Sequence, residues 1–424
     1  MDLNLVEPKM KRRDFLRLLP AGTVASMPMM QPAYGQSLWD MMNQTRSLSD
    51  AEREANSAAA IQAIDTVEPI LSYDTINNLQ MAIAQYEPFV AGGGWEQVPQ
   101  ETYGVAMGVA RDGVVQLKRR LLASADMPMV ESVDDAMDAP TDAALRRFQA
   151  RHGLQVNGQV DEATWYALNV PAETRLHQLK LNLIRVQTMA PALADRYVVV
   201  NIPAAFIETV EGGMVVRRHT AVVGRIDRQT PILKSRIHQI NFNPYWNVPV
   251  SIIRRDLIKY MNENPNYLTE QKIRILDGNG QELQPSQINW QTEEAVNYNF
   301  RQDPGPQNSM GNVKINFHNP HAVYLHDTPT KGLFGDNARF YSSGCVRVDQ
   351  VQDFVGWVLR DNGDWGAGEI GHVFSTGERK DVDVRNPVEI HTTYISAWAN
   401  RNGVVSFRDD VYEFDMAGKV TFEA

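Results

Sequence analysis

The residues with the clearest chemical potential lie around the only cysteine of this 424-residue chain, Cys345, in the segment 343–347 (Ser-Gly-Cys-Val-Arg). A single thiol has no intramolecular disulfide partner. Cys345 is therefore an inert buried thiol, an intermolecular link or a nucleophile. We favour the nucleophile because His326 lies upstream at the end of a predicted strand, where a loop can bring its side chain over a site.

A thiol attacks as its thiolate and needs a base within hydrogen-bond reach, a role that His326 could fill. Gly344 allows a tight turn, so the N–H groups of Gly344 and Cys345 could form an oxyanion hole. Arg347 lies two residues beyond Cys345, and an extended segment places both on the same side. The Arg347 guanidinium could bind a substrate carboxylate, and a structural ion pair is its alternative role.

Zinc binding is the rival interpretation, because His318, His321, His326 and Cys345 match the ligand types of zinc sites. Their spacing places no obvious close pair on one face of a strand. We therefore predict no metal and no cofactor. His318 and His321 are interpreted as packing or hydrogen-bonding residues near a strand.

The length of 424 residues indicates two to four domains, and the 43% of hydrophobic residues indicates a folded protein. The net charge of −10 argues against a nucleic-acid partner. The N-terminal Lys11-Arg12-Arg13, the apolar stretch 18–30 and the small residues of 33–35 resemble a twin-arginine export signal. We expect this signal to occupy 1–35 and to direct the protein to the periplasm. No later segment reaches spanning length, so no stable membrane span is expected after cleavage.

Helical periodicity dominates the N-terminal half. We predict a helical scaffold over 36–110, with a helix from Tyr73 to the glycines at 92–94, and a linking helix over 171–195. Between them, 111–170 reads as a small bundle of three helices, the second capped by Thr141 and the third by Asp161. Its first helix is expected to present residues 118–120 (Lys-Arg-Arg) outward, and the polar insert 126–138 is predicted to be a mobile loop.

From Arg196 the hydrophobic period changes to two, and short strands alternate with Gly, Pro and Asn turns. This pattern predicts a β-sandwich or barrel over 196–424. Residues 252–303 interrupt it as an insertion that begins as a helix and becomes polar; loops of this length are usually functional. The expected fold class is multidomain α+β, mainly β in its C-terminal half.

The bundle at 111–170 resembles the three-helix peptidoglycan-binding module. The resemblance rests on the run 144–149 (Ala-Leu-Arg-Arg-Phe-Gln), the Asn157-Gly158 turn, Asp161 and Leu168-Asn169. A structural bundle that binds nothing is the alternative, since a fold alone does not give a function.

The C-terminal part resembles the catalytic domain of the L,D-transpeptidase family, in its large periplasmic Gram-negative branch. The resemblance is carried by 326–329 (His-Asp-Thr-Pro) and 342–348 (Ser-Ser-Gly-Cys-Val-Arg-Val). Further matches are 243–249 (Asn-Pro-Tyr-Trp-Asn-Val-Pro), 304–321, Gly93-Gly94-Trp95 and the tail 397–412. The similarity extends from about Tyr73 to the end.

This resemblance implies a cysteine enzyme acting on peptidoglycan stem peptides, with a tetrapeptide donor and an acceptor amine. It implies Cys345 as nucleophile, His326 as general base, and Gly344 with Cys345 as oxyanion-hole donors. Tyr324, Trp246, Arg347 and Ser343 would shape the donor site, and the insertion at about 252–303 would be a helical capping subdomain. It also implies carbapenem-type inhibitors. Many members have Ser-His-Gly-Cys, whereas this chain has Ser343 in place of that histidine.

The expected reaction is formation of 3–3 cross-links through a cysteine acyl-enzyme, with release of D-alanine. L,D-carboxypeptidase activity, or attachment or release of a wall-linked protein, would use the same residues. A non-catalytic wall-binding protein is the alternative from a different class. A general cysteine protease shares the Cys/His chemistry but lacks the surrounding pattern.

Overall fold

A computed structural model of the protein describes residues 66–421. The predicted export signal at 1–35 and the first part of the predicted scaffold lie outside the described residues. Within 66–421, no helix is both long and apolar enough to cross a membrane. The expected class, α+β with helices in the N-terminal part and a large sheet in the C-terminal part, is confirmed.

The N-terminal part is helical. Its α-helices are α1 (Tyr73–Ala91), α2 (Gly113–Ala123), α3 (Ala139–Arg151), α4 (Glu162–Leu168) and α5 (Ala172–Met189). The Ser72 hydroxyl caps α1 by accepting the N–H of Thr75. α1 and α5 share one hydrophobic core with the C-terminal tail, in which Leu79, Leu179 and Phe407 are buried. The helical scaffold is therefore packed against the tail by burial of apolar side chains.

Helices α2, α3 and α4 enclose a separate core that includes Leu117, Leu145 and Phe148. Of the two predicted N-terminal helix caps, one is correct and one is wrong. Asp161 caps α4 as expected, but α3 is capped by Asp138, whose carboxylate accepts the N–H of Thr141. Thr141 was therefore the wrong cap residue, because helix α3 begins two residues earlier, at Ala139.

The predicted outward face of α2 is also wrong for two of its three cations. Lys118 and Arg120 are 2% and 1% exposed. Lys118 pairs with Asp134 at 2.6 Å and Asp138 at 3.2 Å. Arg120 lies 3.8 Å from the ring centroid of Trp95 and donates to the carbonyl of Leu168. Ion pairing and cation–π contact thus compensate the burial of both charges.

The polar insert 126–138, predicted to be a mobile loop, is anchored at both ends. Met127 and Met137 are buried in the core of the bundle. Asp126 forms a bidentate ion pair with Arg151, with both N–O distances at 2.6 Å. The sequence suggested mobility because the insert is rich in aspartate, but Asp126, Asp134 and Asp138 have cationic partners.

The C-terminal part is built on one large sheet. Its strands are β1 (Arg196–Asn201), β2 (Phe206–Glu211), β3 (Met214–Gly224), β4 (Leu233–Phe242), β9 (Val313–Phe317), β10 (Leu325–His326), β11 (Phe340–Ser342), β12 (Val346–Val348) and β13 (Lys380–Thr393), with β5 to β8 in an insertion described below. Within 66–421 the strand order is β11-β3-β12-β10-β9-β4-β13-β1-β2, and β2 also pairs with β3. This last pairing closes the sheet on itself, so the barrel alternative is the one realised.

A helical capping subdomain was predicted for the insertion between β4 and β9. The insertion contains strands as well as helices. It contains β5 (Trp246–Asn247), α6 (Val250–Ile252), a π-helical turn (Ile253–Leu257), α7 (Ile258–Glu263), α8 (Tyr267–Glu270), β6 (Ile273–Leu276), β7 (Glu282–Leu283) and β8 (Asn299–Gln302). The four strands form their own sheet, β5-β8-β6-β7, around a separate core. These strands have only two to four residues, too few for a period-two pattern to be visible. We call residues 246–303 the capping insertion.

Two helices and a short hairpin complete the fold. Helix α9 (Val351–Leu359) follows β12 directly, and α10 (Ala367–Thr376) precedes β13. Strands β14 (Ala397–Ala399) and β15 (Val405–Phe407) pair in the tail. The segment carrying Cys345 therefore leads from β11 into β12 and then into a helix.

Candidate active site

Three neighbouring strands bring the candidate residues together. His326 of β10 is the register partner of Lys314 in antiparallel β9 and of Arg347 in parallel β12. Paired residues point to the same face of a sheet, so Lys314, His326 and Arg347 form one row. The next residues along, Ile315, Leu325 and Val346, point to the opposite face and are buried.

Cys345 and Tyr324 form the neighbouring row. The N–H of Val346 donates to the carbonyl of Tyr324 at 3.1 Å, which extends the parallel register by one residue. Cys345 therefore stands beside Tyr324 and diagonally from His326, two residues before Arg347 on the same face. The spacing rule that placed Arg347 on the Cys345 side agrees with this register.

Tyr324 is a polar neighbour of the thiol. Its phenol and its backbone N–H both act as hydrogen-bond donors to Cys345. Trp246 of β5 in turn donates to the Tyr324 hydroxyl. The Tyr324 ring meets the His326 ring edge to face, with centroids 5.7 Å apart. Tyr324 thus connects the capping insertion, the thiol and the imidazole.

The surroundings of the thiol act on its pKa in opposite directions. Burial raises the pKa of Cys345, whereas the two Tyr324 donors and the positive charges of Lys314 and Arg347 lower it. Lys314 lies in the matched segment 304–321, and the sequence predicts no role for it. Its proximity to Cys345 depends on the pairing of β9 with β10, which no local sequence signal specifies.

His326 is held as a neutral ring. It is 6% exposed, and burial lowers its pKa to about 3, with further lowering by the charges of Arg347 and Lys314. Its Nδ1 lies 2.5 Å from the carbonyl oxygen of Asp327. That carbonyl can only accept, so Nδ1 carries the proton and the lone pair is on Nε2. A neutral imidazole is the form that can take a proton.

Asp327 is fixed from both sides. Its carboxylate accepts the backbone N–H of Asn312 at 2.9 Å and pairs with Lys331. Gly311 lies against it with φ of +57°, and a β-carbon there would be 2.4 Å from an Asp327 oxygen. These contacts fix the backbone that orients His326.

The turn before Cys345 is built on Gly344, which has φ of +114°. Its carbonyl accepts the Thr230 hydroxyl at 2.9 Å, and its N–H donates to Ser342 Oγ at 3.1 Å. The Ser342 hydroxyl also donates to the carbonyl of Cys345. In this conformation the N–H of Gly344 is already bonded, so it would have to leave Ser342 to serve an oxyanion.

Two of the predicted substrate-binding side chains have protein partners. The hydroxyl of Ser343, which is exposed, accepts a hydrogen bond from Arg228 at 2.9 Å. Arg347 makes a long contact of 3.4 Å with the Thr328 hydroxyl, and its Nε is buried without a partner among the described residues. The guanidinium of Arg347 therefore keeps unused donors.

The remaining upstream histidines do not join this group. His318 is exposed and stacks on His238, with ring centroids 3.9 Å apart. His321 is exposed in the turn after β9. Within residues 66–421, no cluster of three or more His, Cys, Asp or Glu side chains could hold a metal ion.

Comparison with known proteins shows that the site lies in a region that matches a catalytic-domain family. Residues 195–390 match the family model of the YkuD L,D-transpeptidase catalytic domain. Residues 110–168 match the model described as "Putative peptidoglycan binding domain". Cys345, His326, Tyr324 and Lys314 all lie within the first match.

A curated relative from Haemophilus influenzae, described as "Putative L,D-transpeptidase", is 32% identical over 217 residues. The match covers 51% of this chain and 44% of the relative, so the chain spans less than half of the relative's length.

Solved structures with partial overlap include an L,D-transpeptidase from Mycobacterium smegmatis, at 15% identity, 47% and 59% coverage of the two chains and a TM-score of 0.23. Another is an L,D-transpeptidase from Stackebrandtia nassauensis, at 13% identity, 70% and 97% coverage and a TM-score of 0.25. At these scores the structural overlaps support no argument about this chain. The family models and the curated relative confirm the resemblance seen in the motifs: residues 195–390 match the YkuD L,D-transpeptidase catalytic domain, beside a region that matches a domain of the peptidoglycan-binding type.

Proposed function

We propose that the protein forms 3–3 cross-links in peptidoglycan, with Cys345 as the nucleophile that carries the acyl group. The observation that supports this most directly is the convergence of Cys345, Tyr324 and the Lys314–His326–Arg347 row on one face of the sheet. A thiol, a neutral imidazole and unpaired cations are what acyl transfer to an anionic peptide needs.

The proposed reaction begins when Nε2 of His326 takes the Cys345 proton. The thiolate attacks the carbonyl carbon of the third residue of a tetrapeptide stem, and the N–H groups of Gly344 and Cys345 stabilise the oxyanion. The tetrahedral intermediate then collapses. His326 returns the proton to the departing amine, D-alanine leaves, and a thioester remains on Cys345.

In the second half the amine of a neighbouring stem attacks the thioester, with His326 again accepting a proton. The new amide forms and the Cys345 thiol is regenerated. Trp246, Tyr324, Arg347 and Ser343 are proposed to position the donor, with Arg347 binding a carboxylate. The capping insertion would exclude water and so favour the amine. Water as acceptor gives L,D-carboxypeptidase activity by the same residues.

We further propose the domain division inferred from the sequence, with a scaffold to 110, a module at 111–170, a linking helix at 171–195 and the catalytic domain from 196. The match of 110–168 to a peptidoglycan-binding model supports anchoring of the enzyme on the wall. Export to the periplasm by the twin-arginine route is proposed from residues 1–35.

The deciding experiment incubates the full chain with a defined disaccharide tetrapeptide and analyses the products by mass spectrometry. A 3–3 dimer together with free D-alanine is expected, and both should disappear in Cys345→Ala. Tripeptide alone would identify a carboxypeptidase. Pull-down on peptidoglycan without any product, and without a Cys345 adduct after carbapenem treatment, would leave a wall-binding protein and refute the enzymatic proposal.

A further inference from the structure

Lys314 occupies an unusual position for a cation. It is partly buried, and its ammonium group lies 4.4 Å from the ring centroid of Tyr324, the residue that contacts the thiol. Among residues 66–421, no carboxylate forms an ion pair with Lys314. The nearby acid Asp327 is already paired with Lys331. Burial of a charge without an acidic partner is unfavourable, so a different negative charge is expected beside it.

Arg347 repeats this pattern on the other side of His326. It too is partly buried, it has a buried Nε without a partner among the described residues, and its recorded hydrogen bond goes to a neutral hydroxyl. Lys314 and Arg347 therefore place two cations on the same face of the sheet, on either side of His326. Among the described residues, no carboxylate pairs with either of them. In the proposed reaction, the protein's own group there that becomes negative is the sulphur.

The charged and titratable groups around Cys345 come from several elements. They are Lys314 of β9, Tyr324 and His326 on and just before β10, Arg347 of β12 and, beyond Ser343, the Arg228–Asp256 pair. Tyr324 donates hydrogen bonds whether or not Lys314 is present. Lys314 therefore makes a separable contribution by charge alone.

We propose that Lys314 is a positioning residue for the nucleophile: its ammonium, held over the Tyr324 ring, stabilises the Cys345 thiolate from β9 while Arg347 does so from β12. This inference rests on the proposed function in that Cys345 is taken to be the nucleophile. The same two cations disfavour a positive charge on His326 between them. A proton taken from the thiol is thus destabilised on the imidazole and driven onward to the leaving amine.

Electrostatic stabilisation of the thiolate can be measured without any substrate. The full chain is alkylated with iodoacetamide, a neutral reagent, across a range of pH, and the rate is followed by intact mass. An opposite charge next to an ionisable group changes its pKa by roughly one unit or more. In Lys314→Met the midpoint of the alkylation profile should move up by about one pH unit, so that alkylation near pH 7 is up to about tenfold slower.

The high-pH plateau separates this role from a structural one. A thiolate with a higher pKa is intrinsically more nucleophilic, so the plateau of Lys314→Met should equal or slightly exceed that of the parent protein. Lys314→Arg keeps the charge and should restore the midpoint. Lys180→Met, on the exposed face of α5, makes the same change in net charge and should leave the profile unchanged.

Three outcomes would overturn the proposal. They are an unshifted midpoint in Lys314→Met, a lowered plateau with the midpoint retained, and failure of Lys314→Arg to restore the midpoint. If only the donor KM rises in the muropeptide assay, Lys314 binds the substrate instead. Because alkylation requires no transpeptidation, an inactive enzyme with a shifted midpoint would refute the proposed function and leave the role of Lys314 intact.

Discussion

Arg228 donates a hydrogen bond to Ser343 Oγ at 2.9 Å, two residues before the candidate nucleophile. The same guanidinium forms a bidentate ion pair with Asp256 in the π-helical turn of the capping insertion, with one N–O distance of 2.8 Å. Arg228 lies between β3 and β4, so one side chain connects the sheet, the insertion and the turn before Cys345. The position of the insertion and that of the turn are therefore linked through one side chain.

Arg228→Gln should release both partners. Loss of a partly buried, bidentate ion pair is expected to cost about 1–3 kcal/mol locally and to reduce the rate of Cys345 acylation several-fold. Hydrogen exchange measured by mass spectrometry should increase over residues 250–263. Arg254→Gln is the matched control, because its pair with Glu293 is 49% and 67% exposed and such pairs contribute about 0–1 kcal/mol. Equal effects of the two variants would contradict the coupling.

Gly344→Ala should impair the turn that presents the thiol. An alanine at φ of +114° is strained by about 1–3 kcal/mol, and its β-carbon would lie 3.4 Å from the carbonyl oxygen of Gln229. We expect acylation of Cys345 by a carbapenem, followed by intact mass, to slow at least about tenfold. Gly363→Ala, also at positive φ but with no atom within 4 Å of the added carbon, should lose similar stability and acylate normally. Unchanged acylation in Gly344→Ala would show that the turn is not required.

Tyr412 supports the same turn from the C-terminal tail. Its hydroxyl donates to the carbonyl of Gly224 at 2.6 Å and accepts the N–H of Thr230 at 3.2 Å, and the Thr230 hydroxyl then holds Gly344. Tyr412→Phe leaves two buried backbone groups unpaired, so the free energy of unfolding should fall by about 1–3 kcal/mol in urea titrations. Acylation should slow as well. Tyr166→Phe, at a side chain 50% exposed, is the control; a loss of stability no larger than in that control would argue against the network.

Stability should decrease in acid because of buried neutral histidines. The pKa of His326 is lowered to about 3 and that of His219 to about 4, both chiefly by burial, against about 6.5 in the unfolded chain. Between these values the unfolded chain binds more protons. The free energy of unfolding therefore falls as pH drops below 6.5, by about 1.4 kcal/mol per pH unit for each histidine.

Urea titrations between pH 4.5 and 6 test this linkage. His326→Gln and His219→Gln should each reduce the slope of stability against pH by about 1.4 kcal/mol per unit, whatever their effect on absolute stability. The exposed His321→Gln serves as the reference. An unchanged slope in either buried variant would show that its imidazole is already charged in the native state.

The dense local motifs around Cys345 and His326 were sufficient to recognise the type of catalytic domain. The period-two pattern from Arg196 was sufficient to predict a β-rich C-terminal half, because strand alternation is a local property. The spacing of Cys345 and Arg347 placed both on one face for the same reason. The short strands of the capping insertion escaped detection, since two to four residues do not establish a period.

By itself, then, the sequence determined the class of fold and the type of catalytic domain, and it supplied the side chains proposed to carry the chemistry. Only the tertiary structure decided which distant cation faces the thiol, which residues support the turn at Gly344, and that Lys118 and Arg120 are buried. Lys314, Arg228 and Tyr412 reach the site through strand pairing and through contacts between segments far apart in the chain. Such contacts depend on the closed sheet as a whole, and no local pattern of residue types specifies them.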